Sequence, residues 1–431
     1  MLKKNETEKK IVTTSLVLMN GTLAETVIMS KGSQFAIYQN GIVTYQSTIS
    51  VDGQTLAPLP KTNRLVKHGV MHFPEQATAY ESKEQLVEEI TQYIHRYVDI
   101  TPQFERVAAY YVLLTWVYDA FNECPYVRFQ GDFGSGKSRA LLVIGALTYK
   151  AVFASGASTV SPIFHILDSY RGTLIFDETD FRFSDSKTDI IKILNNGNSK
   201  GFPVLRTMVS ATKEFEPQAF NVYGPKLVAM RAGFEDDALE SRFITERMSN
   251  RAIRADISIN LGNQYLTEAA AIRNKLLMFR FQNRNKIKID GALRSESLSL
   301  RTNQIVLPLL SLIDNEEHKQ QVLAIVARGM ETILERRRES VEARVIGVLH
   351  QLLSETPQRP VALGLLTYRL VSKFGHDITR PLTSRYVGSI LKKLGISTYK
   401  TSGVYVVPYG ERDAVLQTVK MFGLTVDEEP R

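Results

Sequence analysis

The chain has 431 residues, 44% of them apolar and 23% charged, which is the make-up of an ordinary soluble globular protein with room for about three domains. A single cysteine excludes an internal disulfide or a Cys-rich zinc site and fits a reducing cytoplasm, and the seven histidines form no H-E-x-x-H pair. The net charge of +8 favours a polyanionic partner without establishing one.

The segment Met1–Lys10 is charged and has no apolar core, so it does not read as a signal peptide. Residues 11–75 alternate apolar and polar positions between Asn20-Gly21, Lys31-Gly32, Asn40-Gly41 and Asp52-Gly53. That pattern predicts a small antiparallel β-module with tight hairpins. It is either an accessory domain, for nucleic acid or self-association, or an inert scaffold. Glu81–Tyr97 and Phe104–Phe121 read as two helices, and the longest apolar run, Val107–Tyr118, is too short to cross a bilayer.

Tyr126-Val-Arg-Phe129 then reads as a short strand, followed by Gly131-Asp-Phe-Gly-Ser-Gly-Lys-Ser138, which fits G-x-x-x-x-G-K-[ST] at every fixed position. Glycines let a backbone turn its N–H groups toward an anion, and a helix N-terminus adds partial positive charge. Gly131, Asp132, Phe133, Gly134, Ser135, Gly136, Lys137, Ser138 and Arg139 are the expected phosphate-binding residues. Lys137 would reach the β- and γ-phosphates, and Ser138 would ligate Mg²⁺. Arg139–Tyr149 is the predicted helix.

Ala151–Ser155 reads as the next strand and Ser158–Asp168 as the next helix. Gly172-Thr-Leu-Ile-Phe-Asp-Glu-Thr-Asp180 is an apolar strand ending in two acids. Asp177 would hold the Mg²⁺, and Glu178 would act as general base on the attacking water. Paired with the glycine loop, this acidic strand end predicts ATP binding and hydrolysis with Mg²⁺.

Ser186–Asn195 reads as a helix, Phe202–Ser210 and Glu214–Tyr223 as a hairpin, and Lys226–Met230 as the last core strand. Residues 253–340 read as mostly helical, with a basic segment from Arg280 to Lys288. Val341–Leu353, Leu363–Phe374 and Thr383–Leu394 form three short helices, with a two-stranded wing turning around Thr401-Ser-Gly403. Three helices and a hairpin make a winged helix. Its basic residues include Arg385, Lys392, Lys393 and Lys400, either a DNA-binding face or a solvated one.

These features resemble the AAA+ P-loop ATPases of phages and mobile elements and, more distantly, the minichromosome-maintenance and superfamily 3 helicases. The resemblance covers roughly residues 80–410. It rests on Gly131–Ser138, Phe176-Asp-Glu178, Asn221-Val-Tyr-Gly-Pro-Lys226 and Ser241-Arg-Phe243. It implies an α/β AAA+ core, a parallel sheet between helices, at residues 80–340. An N-terminal β-rich module would occupy residues 1–79 and a winged helix residues 341–431.

The same resemblance implies a hexameric ring with ATP between subunits and hairpins that grip DNA. Lys200, Arg206 and Lys213 would then lie near DNA phosphates. Arg242 would project into the neighbouring subunit's nucleotide site, the alternative being a surface salt bridge. Arg301 would reach the γ-phosphate within its own subunit. Where the family commonly has a polar sensor residue such as asparagine, this chain has Ala229-Met-Arg-Ala-Gly233, which leaves that assignment open between Arg231 and another residue. The implied function is a cytoplasmic, ATP-driven DNA helicase or translocase serving replication of a phage or mobile element, together with other replication proteins. The alternatives are a non-processive DNA-binding ATPase (helicase loader, initiator or transposition regulator) and a protein-remodelling ATPase.

Overall fold

A computed structural model describes residues 10–156, 158–177, 184–209, 215–248, 253–376 and 381–424. The chain divides into two compact units, Met1–Gly329 and Met330–Arg431.

The first unit opens with β1 (Ile11–Thr13), β2 (Ser15–Val17), β3 (Leu23–Met29), β4 (Gly32–Gln39), β5 (Ile42–Gln46), β6 (Ile49–Val51) and β7 (Gln54–Pro58). The turns fall at the dipeptides the sequence marks. One sheet is antiparallel, in the order β2-β3-β4-β5, and a second runs β1-β7-β6. The expectation of a purely antiparallel module fails at one pair: β1 and β7 run parallel, with Ile11 opposite Leu56. This pairing joins segments about forty residues apart, so no hairpin signal betrays it.

Three helices follow: α1 (Arg64–Lys67), α2 (Lys83–Tyr97) and α3 (Pro102–Val117). The Ser82 hydroxyl caps α2 by accepting from Gln85 N–H, and Thr101 with Pro102 starts α3. Nearly every residue of α3 from Phe104 to Val117 is buried, as its unbroken apolar run requires.

The core sheet consists of β8 (Tyr126–Gln130), β9 (Val152–Ser155), β10 (Leu174–Asp177), β13 (Lys226–Met230) and β14 (Phe243–Arg247), all parallel in the order β14-β8-β13-β10-β9. Its crossovers carry α4 (Lys137–Gly145), α5 (Val160–Tyr170), α6 (Ser184–Asn196), the hairpin β11 (Val204–Val209) with β12 (Phe215–Phe220), and the single turn α7 (Asp237–Glu240). Val127, Phe129, Leu227 and Ala229 face one core with α3 and α4. Tyr126, Val228 and Met230 face the other with α5 and α6. Alternate residues thus point to opposite faces, and both faces are covered, as a parallel sheet requires. The sequence reading ended the sheet at Met230; the structure adds β14 beside β8.

Next come α8 (Gln264–Asn283), α9 (Leu300–Leu310) and α10 (Glu316–Glu339), which runs past the end of the first unit. Arg280, read from sequence as the start of a basic segment, is fully buried on α8. It pairs with Glu25 of β3 at 2.7 Å and with both carboxylate oxygens of Asp119 at 2.8 and 2.9 Å. The Arg280 guanidinium holds Asp119 well below the usual carboxylate range, despite its burial. Removing one partner from such a buried cluster costs about 3–5 kcal/mol, so the β-module is firmly bonded to the core.

The second unit holds α11 (Val341–Glu355), β15 (Val361–Ala362), α12 (Leu363–Phe374), α13 (Ser384–Lys393), β16 (Tyr399–Thr401), β17 (Val404–Val407) and α14 (Arg412–Met421), with a small sheet in the order β15-β17-β16. Ile346, Leu349, Leu366, Leu391, Val407 and Val415 form its core. α14 is absent from the sequence reading. Among the described residues no helix is long and apolar enough to cross a membrane.

Candidate functional site

The Gly131–Ser138 loop joins the carboxyl end of β8 to the first turn of α4. Gly136 caps α4 with φ of 88°, a left-handed value that side chains resist. At Gly131 a Cβ would collide with the Met248 carbonyl oxygen, so only glycine lets the loop pass β14 this closely. Lys137 Nζ donates to the Asp132 carbonyl at 2.5 Å and to Ser135 Oγ at 3.3 Å. Burial holds its amine below the ordinary lysine range, Asp177 opposing and Arg231 adding to the effect. Phe133, at the loop's tip, is 83% exposed.

Ser138 and Asp177 meet across two strands. The Ser138 hydroxyl donates to Asp177 Oδ2 at 2.5 Å, so β10 and the start of α4 present a hydroxyl and a carboxylate to one point. Two hard oxygens suit Mg²⁺, which takes one or two protein ligands and completes its shell with water and phosphate. Among the described residues no group of three or more His, Cys, Asp or Glu gathers as a metal site. Glu178 lies outside the described residues.

A recess continues from the loop, lined by Asp99, Thr101, Gly134, Gly136, Arg139 and Met248. Arg139 Nε donates to the Tyr97 carbonyl at 2.8 Å and Nη1 to the Ile259 carbonyl at 3.1 Å. Its Nη2 is buried without a partner among the described residues, and burial lowers the guanidinium's pKa. An orphaned donor beside a phosphate-type loop fits a nucleotide's base or ribose. The sequence reading missed Asp99 and Met248, because Met248 follows the strand it overlooked.

Arg242 does not project outward. Its side chain is 9% exposed and donates to Asn198 Oδ1, Asn195 Oδ1 and the Asn195 and Ala238 carbonyls. Its own carbonyl accepts from Tyr126 N–H, at the opposite end of β8 from the loop. Four residue steps of strand, roughly 13 Å, separate those ends. The exposed Arg301 donates to the same Ala238 carbonyl at 3.1 Å. The fold therefore brings Arg242 and Arg301 together and gathers Lys137, Ser138 and Asp177 elsewhere.

Of the residues expected near DNA, Lys200 donates to the Asp119 carbonyl at 2.9 Å and lies over the Tyr223 ring. Arg206, on β11, pairs with Asp189 at 3.1 Å and stacks over Phe164. Lys213 lies outside the described residues. The hairpin leaves Leu205 and Phe215 70% and 77% exposed, and Phe202 just before it 67%. In the second unit Arg385, Lys392, Lys393 and Lys400 are all exposed, and Lys393 pairs with Glu342 at 3.2 Å.

No protein-family model matches the chain, and no curated protein does. Solved structures with a similar chain course include three that cover most of this chain. The A-form apo C-terminal region of NrS-1 shares 12% identity over 89% of this chain and 96% of that one, with a TM-score of 0.41. The active helicase Cch of SCCmec type IV shares 10% identity over 94% and 80%, with a TM-score of 0.37. A full-length MCM homologue from Methanopyrus kandleri shares 10% over 72% and 77%, with a TM-score of 0.36. At such scores the likeness carries no argument, and the functional reading stands on the site's own geometry.

Proposed function

We propose that the chain is a P-loop ATPase of the AAA+ type that binds ATP with Mg²⁺ and couples its hydrolysis to movement along DNA, as a helicase or translocase in replication of a phage or mobile element. The observation that carries this reading is the 2.5 Å contact between Ser138 and Asp177, beside Lys137 and at the start of α4. The loop's N–H groups, the α4 N-terminus and Lys137 hold phosphate. Ser138 and Asp177 would hold Mg²⁺, which when bound would supply charge neutralisation for the phosphates. Glu178 follows Asp177 directly and takes the proton of the attacking water. Arg139 and the recess beside it hold the nucleoside.

A ring of subunits fits the arginines. An arginine that compensates charge on the transferring phosphoryl group raises rate by about 10³–10⁵. Arg301, exposed and placed with Arg242 away from the loop of its own subunit, suits action on a neighbour's nucleotide. Arg242 anchors the segment that carries Ala238, which accepts from both arginines. The exposed apolar side chains Phe202, Leu205 and Phe215 around β11–β12, with Lys200 near them, and the basic face of the second unit read as a winged helix, suit DNA. The test is ATP turnover by the full chain with and without single-stranded DNA, then strand displacement on a forked duplex. Turnover raised by DNA together with displacement supports the helicase reading. Turnover without displacement moves it to a non-processive DNA-binding switch.

A further inference from the structure

A cavity of about 510 Å³ lies at the other end of the core sheet from the glycine loop. Arg171, shortly before β10, and Asn221 and Tyr223, shortly before β13, line it. Thr13 and Ser15 come to it from the β-module, and Lys200 from the segment just before β11. Its wall is held by named bonds. The buried Lys150 donates to Thr14 Oγ1 at 2.9 Å and to Ser15 Oγ at 2.6 Å, and Thr14 Oγ1 donates to the Tyr170 carbonyl at 2.9 Å. These bonds tie the start of β2 to the end of α5, next to Arg171.

Two of the lining cations have no acid of their own. Arg171 Nε donates to the Asp168 carbonyl at 3.3 Å, and Lys200 Nζ donates to the Asp119 carbonyl at 2.9 Å. The acids that line the same cavity are engaged elsewhere. Asp119 gives both carboxylate oxygens to Arg280, and Asp168 accepts from the Asn221 N–H at 3.0 Å. Glu123 attracts Lys200 through space, with no ion pair between them among the described residues. Arg171 also sits at φ of 51°, a left-handed value in which an arginine is strained and a glycine would not be. A side chain kept against that strain points to work for its guanidinium.

We propose that this cavity binds a phosphate monoester carried on a sugar, with Arg171 and Lys200 as its clamp. A phosphate monoester carries a charge of about −1.5 to −2 at neutral pH, which two cations match, whereas a phosphodiester carries a single charge. The Arg171 guanidinium keeps its two terminal nitrogens for parallel N–H bonds to phosphate oxygens, and the Lys200 ammonium has donors beyond the one on Asp119. Inorganic phosphate alone would leave most of the volume unfilled. A molecule of nucleotide size fits, its hydroxyls meeting Thr13, Ser15 and Asn221. This chemistry has two sources, a free nucleotide and the 5′-phosphorylated end of a DNA strand. Either would bridge the root of the β11–β12 hairpin to the segment that leads into β10.

The test is calorimetric titration of the full chain with deoxythymidine 5′-monophosphate and with deoxythymidine. The proteins are the wild type, Arg171→Gly, Arg171→Lys, Lys200→Ala and Lys137→Ala. Arg171→Gly removes the guanidinium and relieves the backbone at the same time, so binding lost in it is not folding lost. The monophosphate binds the wild type and deoxythymidine does not. Arg171→Gly and Lys200→Ala each weaken the monophosphate by roughly tenfold or more, the size of a charge-assisted hydrogen bond lost. Arg171→Lys recovers part of that loss, and Lys137→Ala binds as the wild type does. Fluorescence anisotropy of 5′-phosphorylated and 5′-hydroxyl thymidine oligomers then separates the sources. Tighter binding of the phosphorylated oligomer, lost in Arg171→Gly, assigns the site to a strand end, and equal binding of the two oligomers assigns it to the free nucleotide. Monophosphate binding that Lys137→Ala abolishes and Arg171→Gly keeps would belong to the glycine loop and overturn the proposal, as would no phosphate-dependent binding of either probe. Because Lys137→Ala leaves this cavity intact, a failure here and a failure of the ATPase reading are told apart.

Discussion

Arg242 grips Asn195 twice, with Nη1 on the side-chain oxygen at 3.0 Å and Nη2 on the backbone carbonyl at 3.2 Å. Asn195 lies in the last turn of α6, which leads into the β11–β12 hairpin, and Arg242 immediately precedes β14. One guanidinium therefore fastens the root of the hairpin to the edge of the core sheet. Hydrogen bonds from a charged donor are worth about 1.5–3 kcal/mol each in net terms, and the Asn195, Asn198 and Ala238 acceptors would all lose theirs together.

Arg242→Ala should therefore lower the stability of the first unit by about 2–4 kcal/mol in urea unfolding. Arg301→Ala, at an exposed position, should change stability by less than about 0.5 kcal/mol while abolishing ATP turnover. Mixing Arg301→Ala with Lys137→Ala subunits should recover some activity, because each supplies what the other lacks. An Arg242→Ala protein as stable as the wild type, and rescued by Lys137→Ala subunits, would restore Arg242 as the projecting arginine.

Glu178→Gln should keep ATP binding and lose turnover by at least about 10²-fold, since an amide accepts no proton from water. Filter binding and phosphate release measure the two separately. Normal turnover in this variant would remove Glu178 from the reaction.

Lys226 opens β13 with its amine buried among the carbonyls of Gly197, Val222 and Gly224 at 3.3, 2.9 and 2.9 Å. Burial pushes its pKa down to about 7. The unfolded chain keeps that proton up to the ordinary lysine value, so between the two pKa values the unfolded state binds more protons. Stability should thus climb as pH rises from about 7 toward 10, lose that gain as pH drops back toward 7, and show no further change from this group below it. Lys226→Met should flatten this dependence. It should also cost about 1–3 kcal/mol by stranding carbonyl oxygens. A pH series of urea midpoints for both proteins checks the sign, and an unchanged slope in Lys226→Met would contradict it.

Arg385, Lys392 and Lys400 are exposed, in the segment from α13 to β16. If they neutralise DNA phosphates, each change to alanine should lower the salt slope of DNA binding by about 0.7–0.9. Fluorescence anisotropy across a salt series reads this directly. Slopes equal to the wild type would make the surface merely solvated.

Much of the core was legible because its signals are local. Tyr126–Ser138 declares strand, loop and helix within one short window, and Leu174–Asp177 is an apolar run with an acid at its end. The hairpins of the β-module announce themselves by Asn-Gly and Asp-Gly. β14 was not legible, because Phe243-Ile-Thr-Glu-Arg247 is short, half polar and bounded by no turn residue. Its place in the sheet comes from pairing with β8, more than a hundred residues earlier. The burial of Arg242 and of Arg280 was hidden for the same reason: Asn198 and Asn195 lie 44 and 47 residues from Arg242 in sequence, and Glu25 lies 255 from Arg280. α14 was readable, since Val415 and Val419 are spaced for one helix face, but the wing before it looked like the end of the domain.

The central claim is that Gly131–Ser138 and Asp177 form one nucleotide-hydrolysing site. Its most direct test is release of inorganic phosphate from ATP by the purified full chain, with and without Mg²⁺ and single-stranded DNA, beside Lys137→Ala. The account predicts Mg²⁺-dependent release by the wild type, increased by DNA, and none above background by Lys137→Ala. No release under any of these conditions, or equal release by Lys137→Ala, would contradict it.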